Sequence, residues 1–193
     1  MSRVLLAEAA AVDEVVDVIS NGGLAVVPTE TVYGLAASPA APDAVERIFT
    51  AKKRDRSNAI GILVSDVDAA WLYGITNPEA RQLAQRWPGP LTLILRRTED
   101  ASLWKLGGDE STIGIRVPSH AFTREVLAKT GPLAVTSANL SGEPTHPHIS
   151  EIQRDLGDAV DLYIDAGPIA SLPSKVISLI GEPTVLRERN PGG

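Results

Sequence analysis

Apolar residues recur along this chain at two different spacings, and the switches between them mark out its elements. Val12, Val15, Val16 and Ile19 fall three or four apart, which predicts a helix over 9–21, stopped by Asn21-Gly22-Gly23. Leu24-Ala25-Val26-Val27 is a short continuous apolar run, and its length and valine content predict a strand ending at Pro28. Residues 28–34 then read as a loop. Val45, Ile48 and Phe49 restore the helical spacing and predict a helix over 42–53, with Pro42 and Asp43 suited to its first turn. Further on come a buried strand at 59–64, a helix at 77–86 capped by Asn77, and a strand at 91–96 after the breaker Trp87-Pro88-Gly89-Pro90. Residues 98–110 are polar and contain glycine, which reads as a surface excursion. Alternation over 111–117 predicts a strand ending at Pro118, and 119–129 a helix with Ser119 as its cap. A strand at 133–136, a short capped helix at 150–156 and strands at 160–165, 175–180 and 184–187 close the chain. Interleaved strands and helices predict an α/β domain, and the adjacent late strands make its sheet mixed rather than purely parallel.

Composition narrows the class. At 193 residues, with no internal repeat or linker, the chain reads as one domain over 1–193. It contains no cysteine, which excludes a disulfide framework, zinc-thiolate sites and thiol chemistry. No apolar run approaches the roughly 18 to 20 residues of a membrane span, and residues 1–8 lack the apolar segment of a secretory signal. The expectation is a soluble cytoplasmic protein without a membrane partner. The net charge of −6 argues against a general nucleic-acid binder, so any RNA contact would have to be local.

Charge is unevenly placed. Residues 1–50 hold only Arg3 and Arg47 against seven carboxylates, yet Lys52, Lys53, Arg54 and Arg56 follow at once, interrupted only by Asp55. Such an island reads in two ways. Cations at a helix end are favoured by the helix dipole and meet solvent. Alternatively they gather phosphate, to which guanidinium and ammonium groups give charge-assisted hydrogen bonds. Thr29-Glu30-Thr31 and Ser137-Ala138-Asn139 each follow a short apolar strand. In open α/β sheets the ligand crevice lies at strand carboxyl ends, where these loops would meet the island. Small hydroxyls and an amide beside arginines suit a nucleoside triphosphate. The common glycine-rich nucleotide motifs are absent, as is the Gly-x-Ser-x-Gly elbow of a serine hydrolase. His146-Pro147-His148 offers two imidazoles but no third ligand by spacing, so no metal site is assigned. Trp71, Trp87 and Trp104 share no pattern and read as packing residues rather than a base-stacking platform.

Four segments, in order, resemble the signatures of the YrdC/TsaC family of L-threonylcarbamoyladenylate synthases. They are Pro28-Thr29-Glu30-Thr31-Val32-Tyr33-Gly34-Leu35, Lys52-Lys53-Arg54, Trp87-Pro88-Gly89-Pro90-Leu91-Thr92 and Ser137-Ala138-Asn139-Leu140-Ser141-Gly142. The similarity runs over about 22–187 and looks like the short single-domain form. It implies a YrdC-like domain, a twisted mixed sheet flanked by helices with a concave basic pocket. It also implies a reaction of L-threonine, bicarbonate and ATP to threonylcarbamoyl-AMP and pyrophosphate, the first step of the modification of adenosine 37 in tRNA. Carried over by position, Lys52, Arg54, Ser137 and Asn139 match a catalytic tetrad around ATP. Asn58, Thr112 and Arg187 match further ATP contacts, and Thr31, Arg116 and Ser174 match the threonine site. Magnesium would accompany ATP, and a downstream tRNA threonylcarbamoyl-transferase complex would take the product. Asp55, Leu63 and the segment Leu172-Pro173-Ser174-Lys175-Val176 depart from the pattern, and Thr145 is the candidate for a contact otherwise unassigned in 143–148. Two rival functions use the same cations: a module gripping tRNA or double-stranded RNA, and a carbamoyl-phosphate-dependent transferase.

Overall fold

The computed structural model describes residues 2–189. In chain order the elements are β1 (Arg3–Leu6), α1 (Ala9–Ser20), β2 (Ala25–Val27), β3 (Gly34–Ala37), α2 (Pro42–Lys52), β4 (Gly61–Leu63), α3 (Val67–Tyr73), α4 (Pro78–Ala84) and β5 (Leu91–Arg96). There follow β6 (Thr112–Arg116), α5 (Ala121–Thr130), β7 (Leu133–Ser137), α6 (Ile149–Leu156), β8 (Leu162–Asp165), β9 (Lys175–Ser178) and β10 (Thr184–Arg187). All ten strands form one mixed sheet in the order β1-β8-β2-β3-β7-β4-β6-β5-β9-β10. The α/β class and the mixed sheet expected from the sequence are both present.

Strand alternation sends successive side chains to opposite faces of this sheet. One face carries Leu35, Ile62, Leu91, Leu93, Leu95, Ile113, Ile115 and Ile177, and α2, α3, α4 and α6 cover it with Val45, Ile48, Phe49, Ala70, Ala84 and Ile152. On the other face α1 and α5 pack Val12, Val15, Phe122 and Val126 onto Ala25, Val27, Ala36, Leu133 and Ile164. These two helices lie over only part of that face. Beyond Leu133 the sheet continues through β4, β6, β5 and β9 without a helix above it, and this bare stretch is where the cavity lies.

Several elements differ from expectation. β3 begins at Gly34, the last residue of the expected loop, and continues over residues assigned no element; Gly34, Ala36 and Ala37 are small, and the segment runs antiparallel between β2 and β7 with Leu35 wholly buried. β1 and α3 were not foreseen; α3 is seven residues long and starts at Asp66, whose side chain accepts from Ala69 N–H. Asn77 caps α4 as expected, accepting from Ala80 N–H. Ser119 does not cap α5: His120 is the N-cap residue and makes no side-chain cap bond, and the first turn is held instead by Thr123, whose hydroxyl donates to the Pro28 carbonyl. The helix near 150 also starts without a side-chain cap, at His148. Residues 98–110 are more than a surface excursion. Ala101 and Leu106 are fully buried, and Arg97 reaches in to donate to the carbonyls of Ala101, Trp104 and Thr112. The tryptophans do pack: Trp71 lies 5.9 Å from Trp87, and Trp104 lies 4.9 Å from Tyr73. No helix among the described residues is long and apolar enough to cross a membrane.

Candidate functional site

The cavity has a volume of about 320 Å³. Its floor is the bare sheet face, and the alternation of β6 shows how the sequence builds it. Ile113 and Ile115 go into the core while Thr112, Gly114 and Arg116 face the cavity, with Thr92 and Ile94 of β5 beside them. Gly61, Leu63, Val135 and Ser137 extend the floor on one side, Ser174 and Val176 on the other. The rim is formed by Thr29, Thr31 and Val32 after β2, Arg54 and Ala59 after α2, and Arg187 from the edge strand β10.

Arg116 is the most constrained cation. It is 7% exposed, and three nitrogens have three different neighbours. Nε donates to the Gly89 carbonyl at 3.2 Å, Nη1 donates to Thr31 Oγ1 at 3.0 Å, and Nη2 lies 2.7 Å from Glu30 Oε1. Burial lowers its pKa and Glu30 opposes that shift, so the guanidinium stays charged. Thr31 is set in turn by Thr29, whose hydroxyl lies 2.9 Å from that of Thr31 and donates to the Val32 carbonyl at 2.6 Å.

Arg54 braces its own loop, donating to the carbonyls of Asn58 at 3.0 Å and Ala59 at 2.9 Å. Asp55, the unusual carboxylate beside it, accepts from Ser57 N–H at 2.7 Å, a bond that lowers its pKa and turns the chain back toward the sheet. The excursion at 98–110 holds the loop from outside: Gly108 N–H donates to the Arg56 carbonyl and Ile60 N–H to that of Leu106. A Cβ at Gly107 would meet the Arg56 carbonyl at 2.6 Å, so only glycine fits there. On the opposite rim Arg187 donates through Nε to the Ser174 carbonyl at 2.8 Å and through Nη2 to its hydroxyl at 3.0 Å. Burial and the nearby Arg116 both lower its pKa.

Of the ten site residues expected from the sequence, Thr31, Arg54, Thr112, Arg116, Ser137, Ser174 and Arg187 line this one cavity. Lys52, Asn58 and Asn139 do not. Lys52 is 1% exposed, and its ammonium donates to the carbonyls of Ser137 and Asn139, holding the end of β7 from behind. Burial first, and Arg54 second, bring its pKa down to about 7. Asn139 is buried as well, its amide donating to the Leu140 and Glu143 carbonyls while its Oδ1 has no partner among the described residues. Asn58 is exposed and meets Arg54 through its carbonyl. Thr145 is not part of the lining.

The four clustered cations do not act as one patch. Arg56 pairs with Glu46 and lies 5.3 Å above the Phe49 ring, and Lys53 is the left-handed C-cap of α2. Sequence reasoning placed the Thr29-Glu30-Thr31 loop at the site and Gly89 in a signature segment but gave Thr29, Glu30 and Gly89 no role of their own; they shape the site through Thr31 and Arg116. The alternation Thr112, Gly114, Arg116 was the available sign of a strand with a solvent-facing, ligand-sized face. His146 pairs with Asp155 of α6 at 2.7 Å, and no group of three or more potential metal ligands occurs among the described residues.

Three arginines and a row of hydroxyls thus line one cavity over the half-covered face of the mixed sheet. Comparison with known proteins gives the domain's kinship. The chain belongs to the Sua5/YciO/YrdC family, described as telomere recombination, whose profile matches residues 17–189. The threonylcarbamoyl-AMP synthase of Bacillus subtilis is 36% identical over 173 residues, 86% of this chain and 49% of its own length. A Mycobacterium leprae protein given that activity provisionally is also 36% identical, over 88% of this chain and 78% of its own length. Among solved structures, E. coli YciO superposes with a TM-score of 0.89 at 28% identity, covering 97% of this chain and 96% of that one. P. abyssi Sua5 complexed with L-threonine gives 0.84 at 31% identity, covering 97% of this chain and 56% of that one. The chain thus spans about half the length of the Bacillus and Pyrococcus relatives.

Proposed function

We propose that this protein is a threonylcarbamoyl-AMP synthase, a nucleotidyltransferase that converts L-threonine, bicarbonate and ATP to threonylcarbamoyl-AMP, pyrophosphate and water. One observation carries the reading. A single cavity is lined by three arginines, Arg54, Arg116 and Arg187, and by the hydroxyls of Thr31, Thr112, Ser137 and Ser174, which is the donor set two anionic substrates require. The kinship to threonylcarbamoyl-AMP synthases and to a Sua5 solved with threonine supports the same substrate pair.

In this reading Arg116 takes the amino-acid carboxylate and Thr31 its polar groups, with Ser174 behind them. The amine lone pair attacks the carbon of bicarbonate, and loss of water leaves a carbamate. A carbamate oxygen then attacks the α-phosphorus, and the bond to pyrophosphate breaks. Arg54, Ser137, Thr112 and Arg187 are the groups available to the nucleotide, and charge on the departing pyrophosphate is balanced by the guanidinium groups. Lys52 serves by fixing Ser137 through its carbonyl, and the Asn139 amide by holding the turn that follows. Much of the acceleration comes from holding carbamate and phosphate together despite their like charge. Magnesium would accompany ATP and would help offset the charge of its phosphates, beside Arg54 and Arg187. The product passes to the tRNA-modifying transferase, with any tRNA contact local to the rim and the whole pathway in the cytoplasm.

The test is pyrophosphate release from Mg·ATP with and without L-threonine and bicarbonate. Release that requires both supports the reading. Release with carbamoyl phosphate in place of bicarbonate, or none at all beside salt-sensitive tRNA binding, would replace it with one of the rivals.

A further inference from the structure

Glu30 is an unusual neighbour for a substrate-binding arginine. It does not line the cavity, although Thr29 and Thr31 on either side do. Both carboxylate oxygens are shut off from solvent and neither makes an aligned hydrogen bond among the described residues, yet Oε1 lies 2.7 Å from Arg116 Nη2. Arg116 is itself buried, and an arginine buried without a counter-charge is strongly disfavoured. Its guanidinium has five N–H donors, of which one goes to Gly89 and one to Thr31. The Nη2 group beside Glu30 is itself shut off from solvent and has no aligned acceptor among the described residues, so the donor left for a ligand is the second N–H of Nη1, next to Thr31.

The backbone carrying Glu30 is pinned on both sides. Thr123 of α5 donates to the Pro28 carbonyl, and Thr29 Oγ1 donates to the Val32 carbonyl. The carboxylate is therefore set by the fold, and Arg116 is set against it. We propose that Glu30 is a positioning residue for the amino-acid site. Its charge holds the Arg116 guanidinium with Nη2 turned inward, so that the unspent N–H of Nη1, beside the Thr31 hydroxyl, is the donor that receives the substrate carboxylate. This rests on the amino-acid reading of the cavity given above. Because Glu30 lies outside the cavity lining, a ligand carboxylate does not have to displace it.

The experiment is pyrophosphate release by the full chain, Glu30→Gln and Glu30→Asp over a range of L-threonine, with Mg·ATP and bicarbonate saturating and then with ATP varied. Release by the unaltered chain must depend on L-threonine; if it does not, the amino-acid reading and the proposal fall together, before Glu30 is judged. Given that dependence, Glu30→Gln is expected to raise the KM for L-threonine about tenfold or more, leaving the KM for ATP and kcat within about twofold. Glu30→Asp, which keeps the charge, should recover part of that loss. An unchanged KM for threonine would overturn the proposal, as would kcat and both KM values moving together, the mark of general disruption. A lowered KM would overturn it too, since Glu30 would then be competing with the ligand for Arg116. If Glu30→Gln fails to unfold cooperatively, the same split measured on Glu30→Asp decides, with a rise of about threefold or more expected.

Discussion

The ammonium of Lys52 donates to the main-chain carbonyl of Ser137, so the last residue of α2 and the last residue of β7 are joined inside the protein. A second bond, to the Asn139 carbonyl, extends the tie past the strand end. Both acceptors are uncharged, so a neutral amine with its two N–H groups still reaches both, without the charge assistance that an ammonium adds.

That has a consequence for pH. Burial brings the Lys52 pKa from 10.5 down to about 7. Between those values the unfolded chain binds a proton that the folded chain has released, so stability rises with pH through this window. The slope contributed has a ceiling of about 1.4 kcal/mol per pH unit. Urea unfolding at pH 7.5 and 9 is expected to show this rise in the unaltered chain and its loss in Lys52→Met.

Arg54 carries both a charge and a fork bonded to Asn58 and Ala59. Arg54→Ala is expected to lower kcat/KM by about a hundredfold or more, the scale for removing a preorganised charge from a reacting phosphate. Arg54→Lys restores the charge but not the fork and should recover only part. Steady-state pyrophosphate release measures both, and equal activity of Arg54→Lys and the unaltered chain would refute the role given to the fork.

Gly114 separates stability from function. A Cβ there would meet Thr92 Cγ2 at 3.5 Å, an ordinary contact, so the sheet accepts a side chain. The same side chain would enter the cavity. Gly114→Val is expected to keep or raise the midpoint of thermal unfolding, because valine suits a strand. Turnover should fall at least about tenfold through a higher KM for one or both substrates.

Arg56 lies apart from the cavity, paired with Glu46 in a bridge whose side chains are 60% and 48% exposed. Arg56→Ala is expected to leave pyrophosphate release within about twofold and to cost no more than about 1 kcal/mol in chemical unfolding. A large loss of turnover would mean that the cationic island works as a unit after all.

The sequence was legible where local pattern and tertiary setting agreed. The helices at Val12–Ile19 and Val45–Phe49 announced themselves because one face of each is buried along its length. β3 was not legible, since Gly34-Leu35-Ala36-Ala37 has no alternation and is a strand only because β2 and β7 flank it. The site was read at the level of residue types. Seven of the ten residues singled out do line one cavity, but burial is a tertiary property, and nothing local to Lys52 or Asn139 shows that each sits behind the wall. Glu30 was hidden for the same reason, since its partner Arg116 is brought to it across the sheet by β6.

The half-covered sheet also bears on how the protein behaves when it has nothing to bind. A bare sheet face rich in valine and isoleucine would invite another chain to lie on it. Here Thr92, Thr112, Gly114, Arg116 and Ser137 interrupt the apolar positions Leu63, Ile94 and Val176. Polar groups therefore break the apolar floor into smaller pieces, which leaves a second copy less continuous greasy surface to lie on. Substituting those polar floor positions with aliphatic residues would remove the chemistry and expose a sticky face in the same stroke.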